Sequence, residues 1–240
     1  MKELMKRKLP LMPDEIRKAI DEGEITLTEF EDKNEILLSQ EICSQVGFGK
    51  FTDGSYLVSM TCPMPGVTPE MMKWWFWWHA KKSQRYRVWY PKEHFAVSYL
   101  PKDRAYFAAE KQPEFKNNTH LPIERIGKIV MPLRIDFCKA EEFGFSEKIM
   151  EKNDIPLIVC GHVGAMGGLV MHTEMAHIFK RTDEGLMLIS RFWLGKRLEN
   201  PLLRKIILTD ETARGMAEHC CVEYRSLAEI LPCLYEKYGR

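Results

Sequence analysis

The chain of 240 residues has almost no surplus of charge: 35 Lys and Arg stand against 34 Asp and Glu, a formal net charge of +1. A dedicated nucleic-acid binder usually carries a basic excess, so no nucleic-acid partner is expected. No apolar run approaches the roughly 18 residues that a membrane helix needs. The basic start Met1–Lys8 runs into Pro10 and Pro13 where a signal peptide would carry its apolar stretch. Neither membrane association nor export is expected. Seven cysteines, an odd number without a CxxC pair, fit reducing surroundings and a cytoplasmic location. A GxSxG elbow is missing, and Gly161, Gly164, Gly167 and Gly168 match neither GxGxxG nor GxxxxGK[ST]. A nucleotide cradle and a serine-nucleophile hydrolase are thereby set aside.

What the chain does have is large, soft apolar side chains, with six Trp and 14 Met that suit a cavity wall as well as a core. Thr68, Pro69 and Glu70 form a helix start: a hydroxyl N-cap, proline at the first position and an acid in the first turn. The helix that follows carries Trp74, Trp75, Phe76, Trp77 and Trp78 and must be buried nearly all round, as core, as binding box or as both. Pro13–Glu22 reads as a short amphipathic helix closed by Gly23, and Ser55–Thr61 as a strand ended by the Pro63–Gly66 cluster. From residue 94 the apolar period becomes two, giving strands over 94–100, 128–137, 156–163, 168–180 and 186–194, with a hairpin turn at Thr182–Gly185. Asp210 is expected to cap a long helix running to about Leu231 or past Pro232. This order predicts an α+β fold in which a curved antiparallel sheet grips a C-terminal helix and leaves a tunnel between the layers. Residues 1–50 are expected as a helical or extended appendage and 51–240 as the main domain.

On the last helix Met216, Cys220, Leu227, Ile230 and Leu234 form one apolar stripe, and His219 and Glu223, spaced i and i+4, fall within it. Burying an imidazole and a carboxylate without partners is costly. Either the two bond to each other or to a core arginine, or they are two ligands of one metal ion. Further ligands would come from the sheet, where His94 opens a strand and Glu124 stands in a stretch poor in polar residues. Along 170–180, alternation sends His172 and Glu174 to one face. It sends Met175, His177 and Phe179 to the other, more apolar one. His177 is therefore the catalytic candidate and His172 a surface histidine. Lys81, Lys82, Arg85 and Arg87 read as a solvated basic face.

Several stretches together resemble the 2,4-diacetylphloroglucinol hydrolase and phloretin hydrolase family. They are Pro65–His79, Arg85-Tyr86 through Pro91 to His94, Ile123-Glu124 before Gly127, Glu142–Phe145, Glu174–His177, Ser190–Gly195, and His219 through Glu223 followed by Leu227–Pro232. The motifs span roughly residues 55–236 in the family's order. The resemblance implies a helix-grip (Bet v 1-like) fold with a small N-terminal helical part, and a zinc-dependent hydrolase that cleaves the carbon–carbon bond between an acyl group and a polyphenol ring. Carried over by motif, the zinc ligands are His94, Glu124, His219 and Glu223. His79 is passed over because Tyr86 precedes His94 by eight residues, as the family's substrate-binding tyrosine precedes its first zinc histidine. Tyr86 then orients a phenolic oxygen, His177 serves proton transfer or phenol binding, and Phe192 and Trp78 join them around the substrate. Phe192 falls where the diacetylphloroglucinol enzyme carries a second tyrosine, which leaves the identity of the acyl-phenol open. The expected chemistry is protonation of the ring carbon and attack of a zinc-held water on the carbonyl of a small aromatic ketone. A non-catalytic carrier of apolar ligands and a metal-free lyase using His177 as base are the rival readings. A homodimer is compatible with the sequence.

Overall fold

Strand alternation and one long amphipathic helix set the architecture. The computed structural model describes residues 1–22 and 24–239, so the expected closure at Gly23 lies outside the described residues. Eight antiparallel strands form one open sheet in the order β1-β2-β8-β7-β6-β5-β4-β3. They are β1 (Gly47–Lys50), β2 (Tyr56–Pro65), β3 (His94–Tyr99), β4 (Asn118–Ile126), β5 (Ile129–Cys138), β6 (Leu157–Ala165), β7 (Val170–Thr182) and β8 (Gly185–Leu194). The C-terminal helix, Asp210–Tyr238, packs on one face of this sheet, and small helices such as Asp14–Glu22 precede the strands. The class is α+β, and among the described residues no helix is long and apolar enough to cross a membrane.

Because side chains alternate along a strand, the sheet has two buried faces. Tyr56, Val58, Met175, Phe179 and Leu188 pack with Ala217, Leu227 and Leu231 of the C-terminal helix and with the tryptophan helix Pro69–His79. Their neighbours Leu57, Ala176, Ile178, Ile189 and Trp193 point the other way, onto Ile36, Leu37, Phe143 and Phe145. Two donors from β8 hold the N-terminal chain on this second face. Trp193 Nε1 donates to the Thr28 carbonyl at 2.9 Å, and the buried Arg191 guanidinium donates to the carbonyls of Ile42 and Cys43. The segment before residue 51 thus also supplies β1, which pairs with β2 over Tyr56–Ser59.

Several local expectations change in the structure. The Pro63–Pro65 cluster does not end its strand; β2 continues to Pro65 and turns at Gly66, where φ is +72°. Beyond Ser59 β2 has no β1 partner, and a strand edge tolerates proline. Strand β4 escapes sequence patterning because of Pro122, at which the β4–β5 register skips from His120 to Ile123. The cap of the last helix is Thr209, not Asp210: its hydroxyl accepts from the Thr212 N–H, and Asp210 instead accepts from the Tyr56 hydroxyl at 2.6 Å. Lys81 and Arg85 are half-buried and not simply solvated, because their cations lie over the Trp77 and Trp78 rings at 3.7 and 4.2 Å. The helix itself runs unbroken through Pro232 to Tyr238.

The C-terminal helix crosses the β4–β5 turn at glycine against glycine. Gly127 takes φ +59°, and a Cβ on Gly215 would stand 3.1 Å from the Gly127 Cα. A branched side chain here must push the turn away. Gly215→Val is expected to destabilise the protein by about 2 kcal/mol in denaturant unfolding, the cost of overpacking. A stabilised variant would mean that the helix does not press on the turn.

Candidate metal centre and its cavity

Between the sheet and the C-terminal helix lies a cavity of about 540 Å³, large enough for a drug-sized ligand and walled mainly by apolar side chains. Its polar part is lined by Glu124, His219 and Glu223, and His94 stands against both carboxyl groups. His94 and Glu124 are directly opposed across β3 and β4, and His219 and Glu223 stand one turn apart on the helix. His94 Nε2 lies 3.6 Å from Glu124 Oε2 and 3.6 Å from Glu223 Oε1, and His219 Nε2 lies 3.8 Å from Glu223 Oε2. Ligand atoms of His94, His219 and Glu223 are all within 4.8 Å of one another, and Glu124 joins them through His94. Three of the four residues carried over by motif thus share one small volume, and the fourth, Glu124, touches it at His94.

The hydrogen bonds around this cluster decide its chemistry. His94 Nδ1–H donates to the Tyr86 carbonyl at 3.3 Å, which leaves the Nε2 lone pair facing two carboxylates. Nε2 is buried and has no hydrogen-bond partner among the described residues. Burial pushes the His94 imidazole well below the usual histidine range, with the neighbouring His219 adding to the effect. It lowers His219 to about 4, raises Glu124 to about 7 and raises Glu223 well above a normal carboxylate, the last helped by repulsion from Glu124. Lone pairs of two neutral imidazoles and two carboxyl groups meet here, a conflict that a proton or a cation relieves, and the donor set fits a divalent metal.

The surrounding chain holds that arrangement. Trp89 Nε1 donates to the Glu223 carbonyl at 3.0 Å, and Arg7 donates to the carbonyls of Val88 and Trp89 and to the Ser226 hydroxyl. The Tyr86–Trp89 stretch is thereby fastened to the helix beside its ligands. The Tyr86 hydroxyl donates to Glu124, and its ring stacks on His94 with centroids 4.0 Å apart.

His177 lines the cavity with its Nδ1 bonded to the Ser190 hydroxyl at 2.8 Å, and burial lowers its imidazole to about 3, so the ring is neutral. Phe192 also lines the wall, edge-on to His177. Trp78 does not. It packs between Trp74 and Tyr238, because positions 74 and 78 of that helix face the C-terminal helix while Phe76 and His79 face the cavity. His172 is not a plain surface histidine either; the β6–β7 bulge between Val163 and Gly164 falls beside it and brings it to the cavity rim. Glu174 does point away from the cavity, bonded to His162 and Arg197. Sequence patterning missed His120, Tyr224 and Trp89 as cavity residues. A period of two read backward from Glu124 would have pointed to His120, and Tyr224 sits on the same helical stripe as Cys220 and Leu227.

A family model described as the DAPG hydrolase PhiG domain matches residues 27–236. The phloretin hydrolase of Eubacterium ramulus is 29% identical, across 86% of this chain and 77% of its own length. The 2,4-diacetylphloroglucinol hydrolase of Pseudomonas protegens is 30% identical, across 90% of this chain and 76% of its own. That of a further Pseudomonas is 30% identical across 90% and 79%.

The buried charges link stability to pH. A carboxyl raised in the fold removes stability as pH climbs from its unfolded value of 4.5 toward about 7, and the full loss persists above. An imidazole lowered in the fold removes stability as pH falls below its unfolded value of 6.5. Metal binding relieves the carboxylates and also requires them deprotonated. Chelator treatment is therefore expected to lower Tm more at about pH 8 than at about pH 6, measured by thermal scans of loaded and stripped protein. An equal loss at both pH values would contradict a carboxylate-held cation.

Proposed function

Since the chain belongs to the DAPG hydrolase family and is a hydrolase, we propose that it cleaves the carbon–carbon bond between an acyl group and a phloroglucinol-type ring. Zinc, held by His94, Glu124, His219 and Glu223, is the cofactor we assign to it. The observation that carries this reading is the unpartnered His94 Nε2, buried against Glu124 and Glu223 and close to His219, three residues that line one large apolar cavity. We assign the fold to the helix-grip (Bet v 1-like) type, which agrees with the sheet-on-helix layering and the cavity between the layers. The relatives' names, phloretin hydrolase and 2,4-diacetylphloroglucinol hydrolase, support an acylated polyphenol as substrate.

Hydrolysis of an aryl ketone adds a hydrogen to the ring carbon and a hydroxyl to the acyl carbon, giving a phenol and a carboxylic acid. The obstacle is the leaving group, an aryl carbanion unless the ring carbon is protonated first; hydroxyls ortho and para to the acyl group make that carbon basic. Zinc, when bound, supplies Lewis acidity for the carbonyl and water activation near neutral pH. The chain's own groups do the rest. The Tyr86 O–H is committed to Glu124, so its oxygen lone pair is free to accept a substrate phenol proton and orient the ring. His177 is neutral, with Nδ1 engaged by Ser190, so Nε2 is the atom that exchanges a proton or hydrogen bond with the substrate. Phe192, Met175 and Tyr224 close the slot around an uncharged, flat ligand and exclude bulk water.

A panel of mono- and diacetylphloroglucinol and phloretin, assayed for ring release with and without chelator, tests the proposal. Hydrolysis that chelator removes and zinc restores is expected, at about one zinc per chain by elemental analysis. Glu223→Ala should bind zinc at least ten- to a hundredfold more weakly, in the range that losing even an outer partner costs, and lose turnover with it. Activity that survives chelation, or an unimpaired Glu223→Ala, would refute the metal assignment.

A further inference from the structure

The cavity has a second polar end that the chemistry above leaves unused. His120, projecting from β4, is 3% exposed and lines the cavity, and its ring makes no hydrogen bond with any described residue. It meets Phe107, Phe137 and His79 edge-on, at centroid distances of 5.5, 4.7 and 5.2 Å. His79, at the end of the tryptophan helix, is 2% exposed and also lines the cavity. Its Nδ1–H donates to the Trp75 carbonyl at 2.7 Å, which fixes the tautomer and leaves Nε2 as an acceptor without a partner among the described residues. Burial keeps both rings neutral. The free nitrogens of the two imidazoles face a pocket of Phe76, Val97, Leu133 and Phe137, so their partner must come from what fills the cavity.

Their position relative to the metal centre is set by a run of touching rings. His120 contacts His79, His79 stacks on Tyr86 at 5.6 Å, and Tyr86 stacks on His94 at 4.0 Å. The two histidines thus stand beyond Tyr86 on the side away from the ligands. In an aryl ketone whose carbonyl sits at the metal centre, the hydroxyl opposite the acyl group is the polar atom farthest from that carbonyl. On that geometry, and resting on the aryl-ketone reading above, we propose that His120 and His79 form a subsite for the para-hydroxyl of the ring. They are specificity and positioning residues that select 2,4,6-trihydroxyphenyl ketones over those lacking the 4-hydroxyl. The phenol O–H donates to an imidazole nitrogen, and an N–H of His120 donates to the phenol oxygen. The ring then lies inward and the acyl arm points to the cavity mouth at Ile129, Ile206 and Ile207.

The test compares 2,4,6-trihydroxyacetophenone with 2,6-dihydroxyacetophenone on zinc-loaded protein. Binding is read before turnover by stopped-flow quenching of tryptophan fluorescence, to which Trp89 in the cavity wall contributes. Wild type is expected to bind the trihydroxy ketone roughly tenfold more tightly. His120→Phe, close in shape and breaking no hydrogen bond, should lose that preference, with KM for the trihydroxy ketone rising about tenfold and kcat falling less. His79→Asn, which can keep the bond to the Trp75 carbonyl while removing the Nε2 acceptor, should reduce the preference independently. A wild type that hydrolyses the trihydroxy ketone but shows no preference, or a His120→Phe variant that retains it, overturns the subsite and leaves the proposed function standing. A wild type that neither binds nor hydrolyses either ketone overturns both.

Discussion

The structure turns on one electrostatic conflict, the lone pair of His94 Nε2 buried against the carboxylates of Glu124 and Glu223. The Tyr86 carbonyl holds the imidazole in the tautomer that aims this lone pair at them, so rotating the ring cannot relieve the conflict without breaking that bond. Removing like-charged oxygens from water and placing them against an imidazole lone pair is unfavourable by several kcal/mol unless a cation or proton intervenes. The rest of the fold keeps the groups there. Strand pairing opposes His94 to Glu124, a single helical turn joins His219 to Glu223, and Trp89 grips the Glu223 carbonyl from the loop before β3.

The cavity follows from the same constraint. A curved sheet holding a helix at this distance leaves a volume too wide for side chains to fill, and its wall takes its character from alternate positions of β4, β7 and β8. The five-residue aromatic run explains less of the binding surface than its prominence suggests. Trp74 and Trp78 stack with each other, Trp78 stacks on Tyr238 and Trp74 meets Tyr235 edge-on, and together they support the wall from behind. Phe76 and His79 are the members of that helix that reach the cavity. A neutral, flat ligand suits a site whose histidines are all held uncharged by burial, and it suits a chain with a net charge of only +1.

Much of this was legible in the amino-acid order, for reasons that can be named. Period-two patterning located β3, β5, β6, β7 and β8, and the i, i+4 placement of His219 and Glu223 inside an apolar stripe marked the helix that carries half of the candidate metal centre. Alternation put His177 on the cavity side and Glu174 on the other. What patterning could not see were local exceptions that long-range contacts decide. Pro122 concealed β4, and with it the reason His120 and Glu124 share a face. A bulge in β7 carried His172 to the cavity rim, and the absence of a β1 partner allowed β2 to absorb two prolines. The convergence of His94 and Glu124 with the helix is a tertiary fact; no spacing in the chain encodes it, and only the family resemblance anticipated it.

We propose that these four side chains, and not the adjacent buried thiols of Cys220 and Cys221, hold a zinc ion. X-ray absorption at the zinc edge of protein purified without chelator tests it most directly. A coordination shell of nitrogen and oxygen alone is expected, at about 2.0–2.2 Å, with imidazole scattering from two histidines. A sulfur shell near about 2.3 Å, or a folded protein that retains no metal, would contradict it.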